Sequence, residues 1–224
     1  MTSSLEAIDL RVLELINQRW VSPWLDTFFV WLTDPPYREV YFVLAAVALI
    51  ALGKKKGLVA VLTLGIAIAL TDQIIAEVLK PAIGRVRPLF AHPDEVRFLL
   101  GKQARSPSMP SAHAANSFAV AVVLFEFRRS VGWAALVLGA LVAYSRPYVG
   151  VHYPSDILVG AAFGTSMGFS AIGLRRGAVY LWRRVRGGRG GATPPDPTPV
   201  PISSGQPEAV PDGTSSPPDT PSRP

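Results

Sequence analysis

The sequence predicts an all-α fold: an integral membrane helical bundle with five clear transmembrane helices, preceded by an N-terminal interfacial or sixth helix. Three observations lead there. Of 224 residues, 49% are hydrophobic, and the mean hydropathy of +0.30 averages a polar C-terminal stretch with segments more apolar than a soluble domain of this size needs. Short basic turns separate the apolar runs. Three of the five tryptophans fall within residues 20–33, the density found at a membrane–water interface.

Charge and composition exclude several classes. The net charge is +6, but the basic residues cluster at segment ends, which is no nucleic-acid surface. The chain has no cysteine, so disulfides, zinc–thiolate centres and thiol nucleophiles are excluded. The first residues lack the basic-then-apolar pattern of a cleavable signal.

Taken in order, residues 5–19 place Leu5, Ile8, Val12, Leu15 and Ile16 on one helical face, with Glu6, Asp9, Arg11 and Glu14 off it. That is an amphipathic helix, too charged to span. With the tryptophan-rich 20–33 it forms an N-terminal unit, 1–33, expected to lie on the membrane or partly enter it. Residues 34–186 are the expected membrane-embedded domain. Its first span, 39–53, ends at Lys54-Lys55-Lys56. The second, 57–79, suits a hydrocarbon core of about 30 Å. It carries Asp72, either a functional carboxylate or, the favoured reading, a hydrogen-bonding contact between helices. Pro81 is expected to limit this helix. A polar, proline-rich connection over 80–111 leads to three further spans, near 112–127, 131–146 and 155–173. Residues 187–224 hold 11 of the 21 prolines and read as a disordered tail.

The positive-inside rule puts Lys54–Lys56, Arg128-Arg129 and the arginines after 174 in the cytoplasm, together with the tail. Helix counting then brings 80–111 and 145–156 to the outer face. The expected localisation is a multi-pass protein of the cell membrane whose site faces outward.

Three polar stretches converge on that face. Lys80 to Pro88 offers Lys80, Arg85 and Arg87. Pro110-Ser111-Ala112-His113 opens a helix with Ser111 as its cap and His113 in the first turn, where free amides and the helix dipole favour an anion. Ser145 to Asp156 offers Arg146, His152 and Asp156 within twelve residues. A carboxylate beside the imidazole can hold Nδ1–H and leave Nε2 as a nucleophile or base. Singly, each stretch also reads as an interfacial anchor, a capped helix or a tight loop. Together they fit phosphoryl transfer, which needs charge neutralisation, an in-line nucleophile and an acid for the leaving oxygen. Lys80, Arg87 and Arg146 supply charge, Ser111 and nearby amides donate hydrogen bonds, His152 attacks, and His113 protonates. His92 has no matching context and reads as solvated. Carboxylates are scarce on this face, so the expected reaction uses no metal and no cofactor.

These stretches resemble the three signature motifs of the type-2 phosphatidic acid phosphatase superfamily: Lys80-x6-Arg87-Pro88, Pro110-Ser111-Ala112-His113, and Ser145-Arg146-x5-His152-x3-Asp156. The resemblance covers roughly residues 20–175. It implies a six-helix membrane bundle that dephosphorylates lipid phosphates and diphosphates through a phosphohistidine, without metal. Carried over, His152 is the nucleophile, Asp156 its orienting partner and His113 the acid. Lys80, Arg87, Ser111, Arg146 and the amide of Ala112 hold the phosphate. Ala112 departs from the family's usual glycine and is expected to be harmless at a helix start. The compact size, Ile16-Asn17 and Ser22-Pro23-Trp24-Leu25-Asp26 look like bacterial undecaprenyl-diphosphatases of this family. The implied partners are a lipid phosphate substrate and membrane lipids, with undecaprenyl diphosphate first and phosphatidylglycerophosphate or phosphatidate second. A lipid-phosphate binding or transport protein without turnover, and a soluble acid phosphatase or vanadium haloperoxidase, are the lesser readings.

Overall fold

The computed structural model describes residues 4–34, 36, 38–102 and 105–188, and no strand occurs among them. The described residues up to Arg183 form one compact unit, and residues 184–188, which fall to a second, are helical. The expected proline-rich tail from 189 onward lies outside the described residues.

The N-terminal segment folds as two short helices, α1 (Ser4–Glu14) and α2 (Pro23–Thr33), joined through a wide π turn at Leu15–Arg19. α2 starts where its sequence dictates: Pro23 fills the first helical position and the Ser22 hydroxyl accepts from the Leu25 amide. With 11 residues it is only about 16 Å long, too short to cross a bilayer. Its Phe29 packs instead on Tyr148, with ring centroids 4.6 Å apart.

The facing of α1 differs from the expected division into an apolar inner and a polar outer side. Leu5 and Ile8 are 65% and 61% exposed, whereas Asp9 and Leu13 are buried. The helix turns its apolar stripe outward and a carboxylate inward. That is unfavourable in water but suits a helix lying against lipid, provided the buried carboxylate is paired.

α3 (Arg38–Gly53) and α4 (Lys55–Ile74) make an antiparallel pair, and a π turn (Ile75–Leu79) and α5 (Lys80–Ile83) continue α4. Pro81 does not stop the helix. It sits in the first turn after the π turn, where a missing N–H is tolerated. The stop comes at Gly84, whose φ of 62° gives a left-handed cap with its amide on Lys80 O. The Asp72 carboxylate accepts from Asn116 at 2.8 Å, an interhelical contact.

After α6 (Pro88–Ala91) come α7 (Ala112–Phe127), α8 (Arg129–Tyr148) and α9 (Pro154–Gly188). α7 and α9 touch at backbone distance. A Cβ on Gly164 would stand 1.9 Å from the Ala115 carbonyl oxygen, and one on Gly160 2.5 Å from that of Ser111. Small residues repeated at this spacing let membrane helices approach closely. The approach fixes the start of α7 beside the start of α9, and the Ser111 amide donates to Asp156 O at 3.1 Å. Two helices, within Lys55–Ala91 and Pro154–Arg186, are long and apolar enough to cross a membrane, while the apolar helices Glu39–Gly53 and Ala112–Phe127 are shorter.

Candidate active site

The loop between α8 and α9 carries His152. It turns sharply at Gly150, where φ is 83° and an added Cβ would meet Arg97 O at 2.4 Å. His152 is 2% exposed and Asp156, one turn on, is fully buried. The Asp156 Oδ2 atom lies 3.3 Å from His152 Nδ1 and accepts from the Tyr153 amide at 2.9 Å. On the far side of the ring, Nε2 lies 3.1 Å from Arg87 Nη1. A guanidinium can only donate, so Nε2 is the unprotonated nitrogen and Nδ1–H faces the carboxylate; this network assigns the tautomer. Burial holds the His152 imidazole down at about 4 against an ordinary value of 6.5. The Asp156 hydrogen bond opposes this, while the Arg87 and Arg146 charges add to it. The resting ring is therefore neutral, with a lone pair on Nε2.

Arg87 is locked by the chain around it. Its Nε and Nη2 donate to Ser106 O and Oγ at 2.8 and 3.1 Å, and Nη1 donates to Val151 O at 3.0 Å. Arg146, 5% exposed, donates to the Thr33 hydroxyl, and its buried Nε has no partner among the described residues. An orphaned buried guanidinium N–H is costly unless a ligand accepts it. Lys80, at the start of α5, interacts electrostatically with Arg87, Arg146 and Asp156. Ser111 is fully buried and caps α7, its hydroxyl accepting from the Ala114 amide. Ala112 opens the helix and His113, half-buried, occupies its first turn. His92, expected to be solvated, is half-buried, its Nδ1 3.9 Å from Glu95 Oε2.

Three residues hold the geometry in roles that the sequence did not reveal. Ser108, fully buried, donates to Asp156 Oδ2 and stands 3.4 Å from His152 Nδ1. Its only sequence signal is its place in Ser106-Pro107-Ser108, just ahead of the cap. Arg85 is no free cation: Nη1 donates to Asp156 Oδ1 at 2.8 Å and Nη2 to Asp9 Oδ2 at 2.7 Å. Asp9, read as a polar-face residue, is drawn into the same cluster.

Asn17 and Asp26 tie the N-terminal helices to this loop. The Asn17 amide donates to Tyr148 O and Arg97 O at 2.7 and 2.9 Å, and Asp26 accepts from Tyr148 OH and Arg97 Nη2 at 2.6 and 2.7 Å.

A neutral imidazole steadied by a buried carboxylate and facing the Arg87 guanidinium, with the Arg146 charge acting on it, is a set of groups that can handle a phosphate. The comparisons agree. A family model described as the PAP2 superfamily matches residues 59–180, and the chain belongs to that superfamily. It is 32% identical to a lipid A 4'-phosphatase of Bacteroides thetaiotaomicron, over 73% of this chain and 75% of that one. It is 29% identical to the undecaprenyl-diphosphatase BcrC of Bacillus subtilis, over 65% of this chain and 72% of the relative. The solved transmembrane PAP2-type phosphatidylglycerolphosphate phosphatase of Bacillus subtilis superposes with a TM-score of 0.59 at 26% identity, over 78% of this chain and 88% of that one.

Proposed function

We propose that this protein is a multi-pass membrane lipid phosphatase that releases phosphate from a lipid diphosphate or monophosphate through a phosphohistidine on His152, with undecaprenyl diphosphate as the first substrate to consider. The observation that carries the reading is the His152 ring itself, with Nδ1 turned to Asp156 and Nε2 turned to Arg87. In the first step the Nε2 lone pair forms a bond to phosphorus and the bond to the leaving oxygen breaks. His113 gives that oxygen its proton. Arg87, Arg146 with its unpartnered Nε, Lys80, Ser111 and the Ala112 amide hold the three non-bridging oxygens. Asp156 steadies the imidazolium that forms. In the second step His113 takes a proton from water, the water oxygen bonds to phosphorus, and the N–P bond breaks to give inorganic phosphate and neutral His152. Among the described residues no three His, Asp or Glu side chains are grouped to hold a metal ion, and neither step calls for one.

In this reading α3, α4, α7, α8 and α9 span the bilayer within residues 34–186, α1 and α2 lie at its surface, and the site faces outward. The activities of the relatives support three substrates: a prenyl diphosphate, a glycerophospholipid phosphate and a lipid A phosphate. The test is phosphate release by purified protein in EDTA from one representative of each, with His152→Ala as control. Metal-free turnover that disappears in the variant, fastest on the prenyl diphosphate, is expected. No release from any of the three, or full activity in His152→Ala, would overturn the proposal.

A further inference from the structure

The buried face of α1 reaches the site in a way the motifs do not describe. Asp9 is 4% exposed, and its partners lie in the loop before α6 and at the head of α9. Oδ1 accepts from the Ser155 amide at 2.9 Å, and Oδ2 accepts from the Ser155 hydroxyl and from Arg85 Nη2 at 2.7 Å. Asp9 thus caps the helix that begins at Pro154 from 146 positions away in the chain. Arg85 is shared: its second arm donates to Ser155 Oγ at 2.7 Å and to Asp156 Oδ1 at 2.8 Å. Its guanidinium also lies 3.9 Å over the Tyr153 ring.

We infer that Asp9 is a positioning residue for the His152–Asp156 pair, acting through Arg85 and Ser155. This rests on the proposed phosphohistidine reading and extends it to a helix outside the signature motifs. The physical reason lies in the guanidinium fork. Arginine pairs with a lone carboxylate through both arms, each on one oxygen. With one arm held by Asp9, Arg85 can engage only Oδ1 of Asp156. Oδ2 is left for His152, Ser108 and the Tyr153 amide. Without the Asp9 charge, the fork is free to close on both oxygens of Asp156 and draw Oδ2 from the imidazole. The outward apolar stripe of Leu5 and Ile8 gives α1 its seat on lipid, so the helix that lies at the membrane also sets the geometry of the catalytic pair.

The test uses full-length protein in detergent and the lipid phosphate that the wild type turns over fastest. Asp9→Asn keeps the size and the acceptor for the Ser155 amide but removes the charge. The expected result is a fall in kcat of tenfold or more, with KM within twofold and a folded elution profile. Arg85→Gln is the second arm of a cycle: if Asp9 acts through Arg85, adding Asp9→Asn to Arg85→Gln lowers kcat by less than a further twofold. Ser155→Ala, which removes one link and spares the charges, lowers kcat by a few fold and serves if Asp9→Asn does not fold. A wild-type kcat in Asp9→Asn, losses that multiply in the double variant, or a rise in KM alone would each overturn the inference while leaving His152 chemistry intact. A wild type without turnover, or an active His152→Ala, would overturn the underlying reading and this inference with it.

Discussion

His152 must be neutral to attack phosphorus, and its surroundings give that requirement a measurable form. Burial places its pKa at about 4 against an ordinary 6.5. At pH 5.5 an imidazole of ordinary pKa is about 90% protonated, while one with a pKa near 4 is about 3% protonated. The sign for stability follows. The folded-state pKa of a cationic group is depressed, so the neutral ring's contribution is complete above the unfolded value near 6.5. It is lost as pH falls from there toward 4, by about 3 kcal/mol in all. The chain has only three histidines, so ring-nitrogen NMR of uniformly labelled protein is readable, with His152→Ala assigning the signal. The expected spectrum at pH 5.5 shows His152 neutral with the proton on Nδ1. A His152 midpoint at or above 6.5, or a proton on Nε2, would refute the reasoning, because Nε2 would then have no lone pair for phosphorus.

Other outcomes follow from single contacts. Arg146→Lys removes the unpartnered Nε and the planar fork; a hydrogen bond to a charged group contributes about 1.5–3 kcal/mol, so kcat/KM should fall by about 10–150-fold with folding retained. Gly164→Ala places a methyl 1.9 Å from Ala115 O and must part α7 from α9. Overpacking of this kind costs about 1–3 kcal/mol, read as a lower thermal midpoint and lost turnover. Gly173→Ala, with open space at its Cβ, should change neither. Ala112→Gly restores the superfamily's usual residue and should leave kcat/KM within about twofold, since the backbone there is already helical.

Much of the helical order was legible because it rests on local signals. α7 spans 112–127 as its cap and apolar run predict, and α8 and α9 begin within two residues of expectation. Of the motif residues, His152 lies against Asp156 and Arg87 and feels the charge of Arg146, as helix counting, which brings their loops to one end, leads one to expect. What stayed hidden depends on distance in the chain. Asp9 looks like a solvent-face acid until α9 is seen to start against it, and Arg85 looks like a free cation until both its carboxylates are in place. The turn at Leu15–Arg19 breaks the helical period that made Leu15 and Ile16 read as one face with Leu5 and Ile8. Ser22-Pro23 carries the cap and first-turn chemistry of α2, a local signal that the tryptophan-rich reading of 20–33 as an interface passed over.

The most direct measurement is to trap the covalent enzyme. The purified protein is mixed with a lipid phosphate in EDTA, quenched in alkali within the first turnover, and digested for mass spectrometry. A phosphoryl group on the peptide carrying His152, absent from His152→Ala and lost in acid, is the predicted result. Steady release of phosphate with no phosphorylated His152 at any quench time would contradict the nucleophile assigned here and point to direct attack by water.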